Sequence, residues 1–167
     1  MKGMTMMYFD YRFMEVARPI IEHEQYQEIR KIKHHDESVY DHSVKVAFYA
    51  YQLAYKHGLD WKSTIRGALL HDFFLYKFKK SFSLRIITDS IKHAIVHPLI
   101  AFDNASKYFD LNEKEENIIK AHMFPFGFPK SKEAWIVSYV DKYIAIFEYA
   151  SNFKKMAARK QPAYTAE

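Results

Sequence analysis

The sequence predicts an all-α protein, a compact bundle of several helices. Three observations carry that prediction. Only four Gly and five Pro occur in 167 residues, and no alternating apolar-polar run is bounded by turn residues, so nothing reads as a sheet. Apolar residues recur at i, i+3, i+4 and i+7, the helical period. The composition is 49% hydrophobic and 17% aromatic, ample for one core in a chain the size of one domain. The expectation is a single domain over residues 1–167, with a helical core over 8–155 and a frayed, solvated tail over 156–167.

Taken in order, the first helix is expected over about Tyr8 to His23, with Phe13, Val16, Ala17, Ile20 and Ile21 on its apolar side. A short helix near Tyr26 to Ile32 precedes the polar stretch KHHDESVYD, which reads as a loop. The next helix, about Tyr40 to His57, ends at Gly58, a residue suited to a C-cap. Its inward face is Val46, Tyr49, Ala50 and Leu53, and that face continues back through His42. Asp60 caps a helix over Trp61 to His71, in which Gly67 leaves room for another backbone to approach. After the connection FFLYKFKKSFS, the segment Leu84 to Val96 leads to His97 and Pro98. Proline disfavours helical geometry in the residue before it and suits the first position of a helix, so His97 is expected to be extended at a helix entrance. Asn112 and Glu115 have the capping-box spacing for a helix that ends at His122. Beyond the loop MFPFGFPK, Ser131 caps a long last helix through about Lys155.

Composition also excludes several chemistries. The absence of cysteine removes disulfides, thiolate ligands and cysteine nucleophiles, and fits a reducing, cytoplasmic setting. Any metal site must use nitrogen and oxygen donors. The stretch MKGMTMMYFDYRFMEV lacks the apolar core and cleavage site of a signal peptide, and no run is long enough to span a membrane. The formal charge of +5 suits an anionic ligand. The Lys residues are spread over most of the helices, however, so nucleic acid is not an expected partner, and the sequence sets no oligomeric state.

The chemistry concentrates in GALLHDFFLY, Gly67 to Tyr76. Within the helical pattern Asp72 shares the core-facing stripe of Trp61, Ile65, Ala68 and Leu69, which would bury a carboxylate. A buried carboxylate must be protonated, paired or bound to a metal. No Arg or Lys shares that stripe. His71 points about 100° away around the helix, so the two converge only on something between them near the helix end, and a metal ion fits. An isolated His-Asp pair is more commonly a helix cap, so the rest of the chain must decide. His42, His97, His122 and Asp141 also sit on apolar faces or helix ends, with Asp141 embedded among Val137, Val140, Ile144 and Ala145. One such residue is usually a satisfied core side chain. Six, over five segments, would each need a separate partner unless one metal centre serves them all.

This order, a His, a His-Asp pair and a late Asp, resembles the HD-domain superfamily of metal-dependent phosphohydrolases, an all-helical fold with a central metal site. The resemblance covers most of the chain. By position, His42 resembles the family's first His, His71 and Asp72 its name-giving pair, and Asp141 in WIVSYVDKYIA its closing Asp. His97 and His122 match the two extra His of binuclear members, in which the Asp of the pair bridges both ions. The layout YDHS, LLHDFFLY, HP, HMFP and DKY is most similar to small bacterial HD hydrolases. Binuclear phosphodiesterases of the superfamily commonly carry a Lys three residues after that Asp, where this chain has Leu75, with Lys77 the nearest replacement.

The resemblance implies a hydrolase acting on a small phosphorylated substrate, a nucleotide or related metabolite. Two divalent ions about 3.5 to 4 Å apart would hold a hydroxide and screen charge on the phosphoryl oxygens. Imidazole and carboxylate donors suit Mn, Fe, Co, Ni or Zn. Asp72 is then catalytic as well as a ligand. Lys45, one turn after His42, and His93, four residues before His97, are the outer residues expected to serve catalysis, followed by Lys142, His34, His35, Arg66 and Tyr76. Two other readings stay open. One is an oxygenase that uses the same six ligands to hold two irons, and the other is a metal-stabilised binding domain without turnover, which the missing Lys would suit.

Overall fold

The computed structural model describes residues 10–34, 37–75 and 86–159, without the side chains of 34, 86–93, 149 and 151–159. The protein is all-α. Its helices are α1 (Tyr11–Ile21), α2 (Glu24–Gln27) with a 3-10 turn (Glu28–Lys31), α3 (Val39–Lys56), α4 (Trp61–Leu70), α5 (Ile86–Tyr108), α6 (Glu113–Ala121) and α7 (Lys132–Arg159). KHHDESVYD, expected as a loop, contains a minimal antiparallel ladder in which Lys33 pairs with Ser38 and His34 with Glu37. Two residues a strand are too few to leave an alternating pattern in sequence. Among the described residues no helix is long and apolar enough to cross a membrane.

Several helix ends follow from single side chains. Asp10 accepts from the Phe13 N–H at 3.0 Å and starts α1, while Asp60 accepts from Ser63 at 3.1 Å and starts α4. Asn112 and Glu115 form a reciprocal capping box at α6, and Ser131 Oγ accepts from the Ala134 N–H at 3.1 Å ahead of α7. Helix α3 ends with Gly58 at φ 65°, and the Leu59 N–H returns to the Ala54 carbonyl at 2.9 Å, the left-handed closure that glycine favours.

Helix α3 packs against both α4 and α7, and α4 in turn against α1, α5, α6 and α7. Tyr49, expected on its inward face, is instead exposed. It lies on the row Asp41, Lys45, Tyr49, which faces outward, whereas Val46 and Ala50 are fully buried. Pro98 does not start a helix either, and His97 is not extended, because α5 runs through both residues. Ala94, His97, Ala101 and Ala105 form an unbroken buried stripe. Burial along that stripe keeps the helix continuous across a residue that removes one backbone hydrogen bond. Gly67 does permit a close approach, although the neighbour is the Ile118 side chain of α6 rather than another backbone.

Candidate metal centre

Two imidazoles are placed by the same local device. The residues following α4 and α6, His71 and His122, keep helical backbone angles as C-caps. Each ring folds back so that Nδ1 donates to the carbonyl three residues earlier, Ala68 at 2.7 Å and Ile119 at 2.8 Å. A carbonyl only accepts, so Nδ1 carries the proton. Each Nε2 is left with a lone pair facing the interior, the tautomer that a metal needs.

The turn holding Asp72 is pinned on both sides. Phe73 is fully buried against the rings of Tyr26, Tyr108 and Phe109, and Asn104 donates to its carbonyl at 3.0 Å. The Tyr26 hydroxyl donates to the Leu69 carbonyl at 2.7 Å, which fixes the end of α4. Asp72 thereby points its two oxygens at different imidazoles. Oδ2 lies 3.6 Å from His71 Nε2, whereas Oδ1 lies 3.3 Å from His97 Nε2 and 3.5 Å from His122 Nε2. Those last two nitrogens are 2.8 Å apart. On the other side, Asp141 Oδ1 is 3.0 Å from His42 Nε2 and 3.6 Å from His71 Nε2. All six expected residues are buried and meet here.

These residues fit a metal. Donors about 2.1 Å from a common ion stand roughly 3.0 to 3.4 Å apart at right or tetrahedral angles, and the spacings above bracket that range. His71 Nε2 and Asp72 Oδ1 are buried without a hydrogen-bond partner among the described residues, a condition that costs on the order of 1 to 3 kcal/mol for each group. A cation between them satisfies both. Two sets, His42, His71 and Asp141, and His71, Asp72 and His122, hold their donor atoms within 4.8 Å of one another.

The electrostatics favour a cation. Burial alone would raise both carboxyls, but His71 and His97 beside Asp72, and His42 and His71 beside Asp141, hold them well below the carboxylate range. Burial works to lower His42, yet Asp141 and Glu148 outweigh it and raise the ring to about 10. His122 goes the other way, down to about 3, through burial and the neighbouring His71. Protons and metal compete for the same lone pairs.

The same residues, in the same order, fall within a known family. The HD domain family model matches residues 39–146, a span that contains all six. The chain belongs to the HD-domain family. Comparison with curated proteins and with solved structures found no match. HD domains bind divalent metals and belong to a superfamily of metal-dependent hydrolases.

Around the centre of this HD domain, Lys45 pairs with Glu37 and, at 3.5 Å, with Glu148. Glu148 Oε2 in turn lies 3.8 Å from His42 Nδ1. Glu148 was not expected from sequence, although it follows Asp141 by seven residues and so shares its helical face. Lys142 donates to the His122 carbonyl at 2.8 Å and to Ser138 Oγ at 2.8 Å, and Ser138 Oγ donates to the same carbonyl at 2.7 Å. The pair clamps the His122 turn onto α7. Arg66 stands apart from the centre, bound to Glu115 at 2.7 Å and to the Asp110 carbonyl at 2.6 Å. Leu75 is exposed. His35, Tyr76 and Lys77 lie outside the described residues, as do the side chains of His34 and His93.

Proposed function

We propose that this HD domain is a phosphohydrolase that cleaves a small phosphate ester, a nucleotide or related metabolite, at a binuclear centre. His42, His71, Asp72 and Asp141 would hold one ion, and Asp72, His97 and His122 the other. The observation that carries this reading is the split of Asp72, with Oδ2 turned to His71 and Oδ1 to His97 and His122. When bound, two such ions make water nucleophilic near neutral pH and stabilise charge on the phosphoryl oxygens. The chain supplies the frame. The Ala68 and Ile119 carbonyls keep Nδ1 of His71 and His122 protonated and their Nε2 atoms free to ligate. Glu148, held by Lys45, lies against the outer nitrogen of His42, so Lys45 acts through that ligand rather than on substrate. His93 is kept as the candidate for contact with substrate on the α5 side.

One observation favours a second reading, a metal-stabilised binding domain. Leu75 stands where phosphodiesterases of the superfamily carry a Lys, and the two nearby Lys of the described centre are engaged, Lys45 by carboxylates and Lys142 by carbonyls. Metal analysis of protein purified without chelator, followed by a phosphate-ester screen under Mn, Fe, Co, Ni and Zn, separates the readings. The proposal expects about two ions per chain, turnover of at least one ester, and about one ion with little turnover in His122→Ala. Wild type that never exceeds one ion with metal in excess refutes the binuclear centre. Two ions with no ester cleaved would favour the binding domain, and oxygen uptake by the iron form would favour the oxygenase.

A further inference from the structure

Helix α7 is apolar on two opposite sides. One side, with Ala134, Val137, Val140, Asp141 and Ile144, is buried in the bundle. The other carries Trp135, Tyr139, Tyr143, Ile146 and Phe147 at spacings of four, four, three and one, a single stripe, and these side chains are between 42% and 70% exposed. Phe124 and Phe128 extend the stripe at one end, their rings 4.8 and 6.0 Å from that of Trp135. Tyr139 and Tyr143 stack on each other at 6.3 Å. A helix apolar all round is normally enclosed on all sides.

We infer that this stripe is the interface of a two-fold homodimer, α7 packing antiparallel on α7 of a second copy with Tyr139 and Tyr143 nearest the axis. Area is the first reason. At about 200 Å² for each fully open side chain, the exposed fractions leave roughly 800 Å² of apolar surface. That exceeds the patch of about 300 to 600 Å² usual on a monomer and equals the roughly 800 Å² that each partner contributes to a standard interface. Charge is the second reason, and it selects the occupant. Between Glu133 and Ala150 the charged residues are Asp141, Lys142 and Glu148, and their contacts run to His42, His122 and Lys45 rather than outward. A two-fold contact sets a surface against itself, so a charge near the axis would meet its own sign. Among the described residues the stripe presents none from Trp135 to Phe147, and the exposed Lys130 and Lys132 stand at its Phe128 end, away from the axis. Its centre, Tyr139 to Phe147, offers no cation to anionic lipid or nucleic acid. The stripe lies on the side of α7 opposite Asp141, so the inference is independent of the proposed reaction.

Sedimentation of the full chain from about 1 to 100 µM, within the range where interfaces of this area associate, gives the test. Wild type is expected at twice the 19.9 kDa chain mass. The double variant Tyr139→Glu, Tyr143→Glu is expected at the single-chain mass with an unchanged helical circular dichroism spectrum and metal content, and with a Tm that no longer rises with protein concentration. Tyr143→Glu alone should weaken association at least about tenfold, and an equimolar mixture with Tyr143→Lys should restore it, because opposite charges then meet near the axis. Wild type at the single-chain mass throughout overturns the inference. So does a double variant that still dimerises, a mixture no stronger than its components, or capture of monomeric wild type by phosphatidylcholine vesicles.

Discussion

Gly67→Ala tests whether the packing of two helices sets the metal centre. Gly67 sits one turn before His71 on α4, and Ile118 one turn before His122 on α6. A Cβ at position 67 would lie 2.9 Å from Cβ, Cγ2 and Cδ1 of Ile118. Carbon atoms sit comfortably at about 3.5 to 4.0 Å, so α4 and α6 must separate by roughly 0.6 Å or more. Two of the three contacts are to atoms near the Ile118 backbone, which rotation about its outer bond cannot relieve. Alanine gains about 1 kcal/mol of helix propensity over glycine, against about 1 to 3 kcal/mol for overpacking, and the three-atom clash places this case toward the upper end. The net expectation is a loss of about 1 to 2 kcal/mol in urea unfolding of metal-free protein. The separation also exceeds the roughly 0.2 Å tolerance of ligand distances, so metal retained after dialysis should fall too. A variant as stable as wild type that keeps its full metal content refutes the view that this contact sets the distance between His71 and His122.

Four further outcomes are expected. Asp72→Asn, of nearly the same shape, leaves the proposed second ligand set with only the imidazoles of His97 and His122, so metal content should drop to no more than one ion per chain by elemental analysis. Glu148→Gln removes the carboxylate beside His42 Nδ1 and should weaken metal affinity by roughly ten- to a hundredfold in a competitive chelator titration while leaving the fold intact. Lys142→Met removes the bonds to His122 and Ser138 and should cost about 1 to 2 kcal/mol in thermal or urea unfolding. At low pH, burial alone would raise the Glu133 carboxyl, but Lys114 at 3.0 Å and the Asp60 N–H outweigh it and hold it below the usual glutamate value. A folded pKa below the unfolded one gives stability that is full above the ordinary glutamate range and lost as pH falls through the folded value, so Lys114→Met should reduce the acid dependence of Tm in that window.

The helices and the six central residues were legible because each rests on a local signal. Asn112 with Glu115, Asp60 and Ser131 are caps that a few neighbours decide, and His42, His122 and Asp141 stand out as polar residues on apolar stripes. What sequence missed depends on partners distant along the chain. The rule for residues before proline is local and would end a helix at His97, but the stripe from Ala94 to Ala105 is buried by the rest of the bundle, and that burial prevails. Arg66 reads as an outer candidate for catalysis until α6 brings Glu115 to 2.7 Å. Glu148 carried a readable signal in its seven-residue spacing from Asp141, but its meaning required knowing that His42 and Lys45 lie across from α7.

The two C-cap histidines also bear on what the centre can bind first. Helices α4 and α6 both end there, at His71 and His122, and each helix end carries roughly half a negative charge on its last carbonyls. Asp72 and Asp141 add two carboxylates held in the charged form. Burial lowers His42 and His71, but the neighbouring carboxylates outweigh it and raise both, His42 to about 10, so these imidazoles offset the two carboxylates and, with the helix ends, leave the unmetallated cavity no net positive charge. A phosphate ester has no attraction to such a surface until divalent ions make it positive. Binding must then be ordered, metal before phosphate: inorganic phosphate should show no heat of binding to chelated protein in calorimetry and measurable binding once two equivalents of metal are restored. Phosphate bound equally well by the chelated protein would mean that a cationic side chain, not the metal centre, receives the anion.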